Sequence, residues 1–417
     1  MSATVPHTRP EGGLRRQRVD FHREAALGQL AETNRVFNEY SPILQGFNWT
    51  PDAEPAERRA VGHPDPVKYD PAAEAHDLTV NYDMTRWFVD TGEADDAVYD
   101  ALFRDIDNIP IASHTVVGRE EKNSLHEALT VDGASGAKNT RIYTVTRGGQ
   151  PAEAEVIGDA SETASLMVEM SYRAQSSRSY QIDQPSEGAQ LQVVSDNAAD
   201  TGIDVTVENE GGTVSETVAL DGTTPVAVGL AGDFEDVDAF ELAAETDGTV
   251  TLQEDDATPV ELAKIHGKDA YPTEDGDLGV PALLGGTREA APADTQNFLG
   301  AEITRGGEGL RNEIPAITLR VSNETEEMER ATTREMGIYA GDRELELELT
   351  MFGENATHQT FDEYLRIAEA DVVWHLSGGD VTLEDAVYFE PGERAIETSQ
   401  AVMEVGASFR GRGISVN

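Results

Sequence analysis

The sequence predicts a mainly β protein: a duplicated β-sandwich or barrel domain with a flanking helix in each copy, interrupted by a smaller all-β insert. Three observations lead there. The stretch Glu344-Leu345-Glu346-Leu347-Glu348-Leu349-Thr350-Met351 alternates apolar and polar residues without a break, which gives a strand one apolar face and one carboxylate-rich face. Several residue sets recur in one order near both ends of the chain. Short alternating runs separated by turn residues fill the middle.

The chain has 417 residues, with 79 acidic residues against 31 basic ones and a formal net charge of −48. That length suits two or three domains. Hydrophobic residues make up 38%, and their periodicity excludes a disordered polyelectrolyte. So much charge repels itself until salt screens it, and at molar salt the Debye length is about 3 Å. Few lysines and much Ala, Gly and Thr suggest a halophilic source. A basic patch for duplex nucleic acid is not expected. The absence of cysteine excludes disulfides, Cys-ligated zinc and a Cys nucleophile. No apolar run is long enough to predict a membrane-spanning helix. Met1 to Arg18 is polar and lacks the apolar core of a signal peptide, so the chain is expected to stay, or be assembled, where it is made.

Residues 1–37 read as an N-terminal arm and helix. Arg15, Arg16 and Arg18 form a small basic patch, and Phe21, Ala25, Leu27, Leu30 and Val36 interleave with charges at helical spacing between Val19 and Phe37. The helix either docks on a neighbouring copy or caps its own domain. Residues 38–176 read as copy one of the repeated domain. Leu78, Val80, Tyr82 and Met84 alternate with Thr79, Asn81 and Asp83 as in a half-buried strand. Asp95 and Asp96 open a helix with Val98, Leu102, Phe103 and Ile106. Ile109 to Lys138 reads as a long loop, and strands follow at Arg141 to Thr146 and Ser165 to Tyr172.

Residues 177–270 carry close-spaced runs at Leu191 to Val194, Ile203 to Val207, Val214 to Leu220, Pro225 to Val228, Phe240 to Ala243 and Val250 to Leu252. That spacing predicts a small sandwich on flexible flanks. Residues 271–310, rich in Gly, Pro and Ala, read as a connector. Residues 311–417 return to strand–helix–strand order as copy two. There Phe361, Tyr364, Leu365 and Ala368 form the apolar stripe of a helix from Thr360 to Ala368.

The duplication rests on ordered anchors. Asn38-Glu39 with Pro42 pairs with Asn312-Glu313 and Pro315; Arg59 and Gly62 pair with Arg334 and Gly337. Leu78 to Met84 matches Leu345 to Met351 in phase, and a helix follows each. Gly148-Gly149 matches Gly378-Gly379, and Glu162-Thr163 with Tyr172-Arg173 matches Glu397-Thr398 with Phe409-Arg410.

No catalytic or cofactor residues are assigned. His63, His76, His114, His126, His266, His358 and His375 lack metal-ligand spacing. Acid pairs such as Glu326-Glu327 and Asp255-Asp256 suit a glycosidase, but on so acidic a surface they read as solvated. Asn48, Asn323 and Asn355 match the glycosylation acceptor pattern.

Gly341-Asp342-Arg343, the Leu345 strand, Phe361 to Leu365, Val372-Val373-Trp374, Val381-Thr382-Leu383 with Asp385-Ala386, and a strand at Val402 to Phe409 follow in order. Together they resemble the tail tube (major tail) proteins of long-tailed viruses of bacteria and archaea, and the related type VI secretion tube proteins. The resemblance covers residues 311–417 and is weaker for copy one. It implies helix-flanked β-sandwiches whose inner sheets line a channel through stacked rings. It also implies that residues 177–270 are an immunoglobulin-like decoration. With the halophilic composition, it implies a structural virion protein of an archaeal virus, assembled in the host cytoplasm and placed in the tail.

The implied partners are further copies of the chain, in homotrimeric or alternatively homohexameric rings, and the tail tape measure, tail terminator and distal tail proteins. Viral DNA passes from capsid to host without specific binding, no membrane is entered, and no enzyme activity or cofactor is expected. Acidic strand faces repel phosphates, so Thr79, Asn81 and Asp83 in copy one and Glu344, Glu346 and Glu348 in copy two are expected to face the lumen. The competing expectation is a secreted or surface carbohydrate-binding protein or glycosidase built on residues 177–270. The scattered aromatics, 6% of the chain, offer it no cleft.

Overall fold

Period-two alternation becomes antiparallel strands in the computed structural model. It describes residues 16–24, 36–52, 56–58, 68–70, 75–85, 97, 113–123, 139–159, 165–209, 213–244, 246–256, 258–265, 287–291, 294–296, 302–310, 313–328, 337–352, 364–376, 379–391 and 404–416. The first block holds β1 (Arg16–Arg23), β2 (Val36–Glu39), β3 (Leu44–Asp52), β4 (Ala56–Arg58), β5 (Lys68–Asp70), β6 (Ala75–Asp83), β7 (His114–Asn123), β8 (Asn139–Asp159), β9 (Met167–Ala174) and β10 (Ser176–Asp183). The insert holds β11 (Leu191–Ser195), β12 (Thr201–Glu208), β13 (Ser215–Asp221), β14 (Val226–Val228), β15 (Ala239–Leu242), β16 (Val250–Glu254) and β17 (Val260–Ile265). After β18 (Thr287–Glu289), the second block holds β19 (Glu302–Arg305), β20 (Glu308–Gly309), β21 (Glu313–Met328), β22 (Gly337–Phe352), β23 (Ala370–Leu376), β24 (Gly379–Pro391), β25 (Glu404–Gly411) and β26 (Gly413–Val416).

One antiparallel wall runs through both blocks in the order β3-β6-β9-β8-β21-β22-β25-β24. Its apolar face is buried: Leu78, Val80, Val156, Val168, Met170, Leu319, Leu345, Leu347, Leu349 and Phe409 all lie in one core. Two cover sheets close that core. β18, β2, β1, β7, the first half of β8, and β10 cover the first block. β20, β19, β23, the first half of β24, and β26 cover the second.

Six strand pairings of the first block have counterparts in the second. The pairings β1–β7, β7–β8, β8–β10, β8–β9, β6–β9 and β3–β6 reappear as β19–β23, β23–β24, β24–β26, β24–β25, β22–β25 and β21–β22. Register irregularities reappear too: Pro151/Glu153 and Tyr388/Glu390, His114/Val116 and Ala370/Val372, Leu44/Gly46 and Glu313/Ala316. Both β8 and β24 turn from cover to wall at a positive-φ residue, Gly148 (φ 61) and Asp385 (φ 47). A carboxylate holds each corner: the Gly148 N–H donates to Glu24 at 2.9 Å and the Asp385 N–H to Asp371 at 3.0 Å.

Several expectations change. Val19 to Phe37 is not one helix: its described ends are β1 and β2, and Val19 and Phe21 are core residues because they alternate with Asp20 and His22. The loop read at Ile109 to Lys138 contains β7, and the connector contains β18, β19 and β20. Among the described residues, helix is confined to Ala97 and residues 364–366; the first expected helix lies outside them except for Ala97, and of the second only residues 360–363 lie outside. Leu365, placed on an apolar stripe, is 64% exposed. Leu78 corresponds to Leu347, since both face the equivalent Tyr172 and Phe409, and not to Leu345. Gly148-Gly149 corresponds to Asp385-Ala386, while Gly379 opens β24 at a hairpin.

The insert is a four-stranded sheet, β14-β11-β16-β17, and a three-stranded one, β13-β12-β15. It packs against the first block. Its core residues Val193, Val205, Val237 and Phe240 form one cluster with Phe37, Val117, Tyr143, Val145 and Ile182 on the outer face of the first cover sheet. Asp238 fixes the contact, accepting from Tyr143 Oη at 2.5 Å, Arg119 at 3.2 Å and Arg141 at 3.4 Å. In the second block Asp380 and Thr382 replace Tyr143 and Val145, and His375 bonds Asp380 at 2.8 Å and Thr304 at 3.1 Å. That face is polar and half-exposed.

Candidate functional site: the polar face of the wall

Residues directly opposite in an antiparallel sheet share a face, so register alone assembles the candidate surface. Asn48, Thr79, Ser171, Glu153, Ser322 and Glu344 form one cross-strand row. Asn81, Glu169, Glu155, Arg320, Glu346 and Arg410 form the next. Asp83, Met167, Ile157, Thr318, Glu348 and Ser408 form the third. All six residues singled out from sequence stand in these rows, one from each block per row. Thr79 and Asn81 are half-buried and Glu344 and Glu348 exposed. Asp83 differs: it is buried and accepts from the Gln45 amide at 2.9 Å.

Sequence reading missed the rest of the surface. Glu153, Glu155 and Glu169 add carboxylates, and Arg173, Arg320 and Arg410 add three cations. The alternation of Glu153 and Glu155 with Ala154 and Val156 was the available signal. Each of these arginines is held by acids. Arg173 bonds Asp77 at 2.8 Å and also Glu327. Arg320 lies 3.2 Å from Glu153 and bonds Glu155. Arg410 pairs with Glu344 and stacks 3.3 Å from the Phe389 ring centre. Partial burial, then the charges of Glu155 and Glu153, raise the Glu169 pKa. Among the described residues, no three acidic or histidine side chains converge as metal ligands.

No protein-family model matches this chain, and no curated protein matches it. Among solved structures it is similar to the anti-feeding prophage cap, described as a tube-terminating cap. That likeness covers 30% of this chain and 91% of that chain, at 11% identity and a TM-score of 0.24.

Proposed function

We propose that the chain is a structural virion protein, a tail tube subunit that polymerises as stacked rings into a channel for viral DNA. One observation carries this reading. The two blocks join head to tail and edge to edge through β8 and β21. The equivalent edges, β3 and the last part of β24, have no strand beyond them among the described residues. A contact of this kind, repeated, makes a ring when its rotation closes. Closure also removes exposed strand edges.

The register suits closure. The row starting at Gly46 passes Asn81, Glu169 and Glu155 and arrives at Arg320, which holds the place of Thr50. From residue 46 to residue 50 is an advance of four residues over the four strands of one block. One residue of shear per strand tilts strands by about 35°, within the range of closed barrels. Three chains supply six blocks and about 24 strands, with a backbone diameter of about 45 Å at that tilt. Such a passage admits a DNA duplex.

In this reading the two blocks are copies of one tube domain, the assembly is a homotrimeric pseudo-hexameric ring, and the polar face lines the lumen. Carboxylates outnumber guanidiniums there, and each arginine is already engaged, so sliding phosphates meet repulsion and no anchor. The insert, an immunoglobulin-like sandwich, sits on the far side of the first block from the polar face and decorates the outside. The ring stacks on itself and meets the tape measure, terminator and distal tail proteins in the virion tail. The acidity fits a virus of a salt-loving archaeon. Electron microscopy of the purified protein at molar salt tests the reading: rings or tubes are expected, and discrete monomers at every salt concentration contradict it.

A further inference from the structure

We infer that Trp49 is the anchor of the seam between chains, and that it seats beside Ala407 of a second copy of this chain. This rests on the ring reading. Trp49 holds the place of Leu319, because Trp49 faces Leu78 as Leu319 faces Leu347. Leu319 lies inside the chain opposite Val156 on β8 and is 1% exposed. Trp49 packs against the margin of the same core and is only half-buried. Its indole N–H is shielded and meets no acceptor among the described residues. A shielded donor left unmet is costly, so the single chain gives this side chain an incomplete seat.

The opposite edge changes in the opposite sense. Ala407 on β25 holds the place of Met170 on β9, because Ala407 faces Leu349 as Met170 faces Val80. Met170 is fully buried and stands opposite Ala154, which pairs with Val321 across the internal seam. From the internal seam to the free edges, one side therefore gains volume, leucine to tryptophan, and the other loses it, methionine to alanine. Protein interiors pack to near-crystalline density, so the exchange keeps the second join as full as the first. A large aromatic side chain filling a recess is also the usual anchor of an interface. The same sizes select against the wrong join: Trp49 set beside Met170 of another chain's first block would overpack. Partner choice therefore lies on the apolar face of the wall, beneath the charged rows.

The test measures the protein concentration needed for rings at molar salt, by light scattering and electron microscopy. Trp49→Leu and Ala407→Met each copy the internal seam on one side only, and each should raise that concentration by about tenfold or more. The double variant copies it on both sides and should return towards wild type. β3 opens the wall and β25 lies near its other end, so such rescue must pass between chains. Leu230→Ala, at a site 73% exposed on the insert, should leave the threshold unchanged. A second measurement needs no change at the seam. The other tryptophans are Trp87 and Trp374, and Trp374 is already 1% exposed. In Trp87→Phe protein, acrylamide quenching should therefore fall on assembly as Trp49 is covered. Single variants that assemble like wild type, a double variant no better than the worse single, or quenching unchanged by assembly overturn the inference while rings stand. If the wild type forms no rings at any salt, the ring reading itself fails.

Discussion

Arg320 on β21 donates to the carboxylate of Glu155 on β8, across the seam that joins the two blocks. The pair is partly exposed, with 41% of the arginine side chain open to solvent, and exposed ion pairs contribute about 0.2–1 kcal/mol. The backbone ladder and the apolar face beneath it hold the seam. Arg320→Ala is therefore expected to lower the unfolding temperature only slightly, and a scan at fixed high salt measures it. A collapse of the fold would mean that the seam depends on this one side chain.

Glu169 stands directly opposite Glu155, and burial together with the Glu155 and Glu153 charges raises its pKa. A carboxyl raised in the folded state adds stability below its unfolded pKa and loses that contribution as pH rises through the folded pKa. Glu169→Gln should therefore exceed wild type in stability at neutral pH, by about 0.5 kcal/mol. The difference should shrink at acid pH. Denaturant titrations at the two pH values check the sign.

Asp238 accepts from Tyr143, Arg119 and Arg141, all buried. Removing it leaves two cations without this partner, at a cost of about 3–5 kcal/mol for a broken buried pair. Asp238→Ala is expected to raise amide exchange first along β7, the first half of β8, and the 230s loop. Unchanged protection there would show that apolar packing alone seats the insert.

The shared core predicts the outcome of deleting residues 186–265. The cut leaves β10 intact but uncovers Phe37, Val117, Tyr143 and Val145, and an apolar patch of that kind aggregates. Copying the second block with Tyr143→Asp and Val145→Thr should recover soluble protein, which size-exclusion chromatography would read. A deletion that is soluble without those changes would contradict the shared core.

The wall was legible where one face is wet and one dry. β6 and β22 alternate cleanly, and their phase placed all six chosen residues on one face. β7 was illegible for a physical reason: Val116 faces the block core and Val117 the insert core, so both faces are buried and alternation disappears. β1 was lost because Ala25 and Leu27 extend its pattern into an apparent helical one. β19 has only four residues, with Ile303 as its sole core contributor. The arginine–glutamate pairs join strands more than 60 residues apart, as in Glu344–Arg410 and Glu155–Arg320. No local pattern encodes such partners.

Glu344, Glu346 and Glu348 lie on the wet face, where Glu344 pairs with Arg410 and Glu346 accepts from Ser408. Changing all three to Lys should leave the chain folded. Assembled tubes should then retain duplex DNA that wild-type tubes release, with retention falling steeply as salt rises. A filter-binding assay on preformed tubes distinguishes the two, and equal release would remove these residues from the lumen.

Cryo-EM of tubes assembled at molar salt bears most directly on the central claim. Three chains around each ring are expected, with a continuous barrel of about 24 strands in which β3 of one chain pairs with the end of β24 of the next. Six chains per ring, or a ring whose lumen is lined by the second block alone, would contradict it.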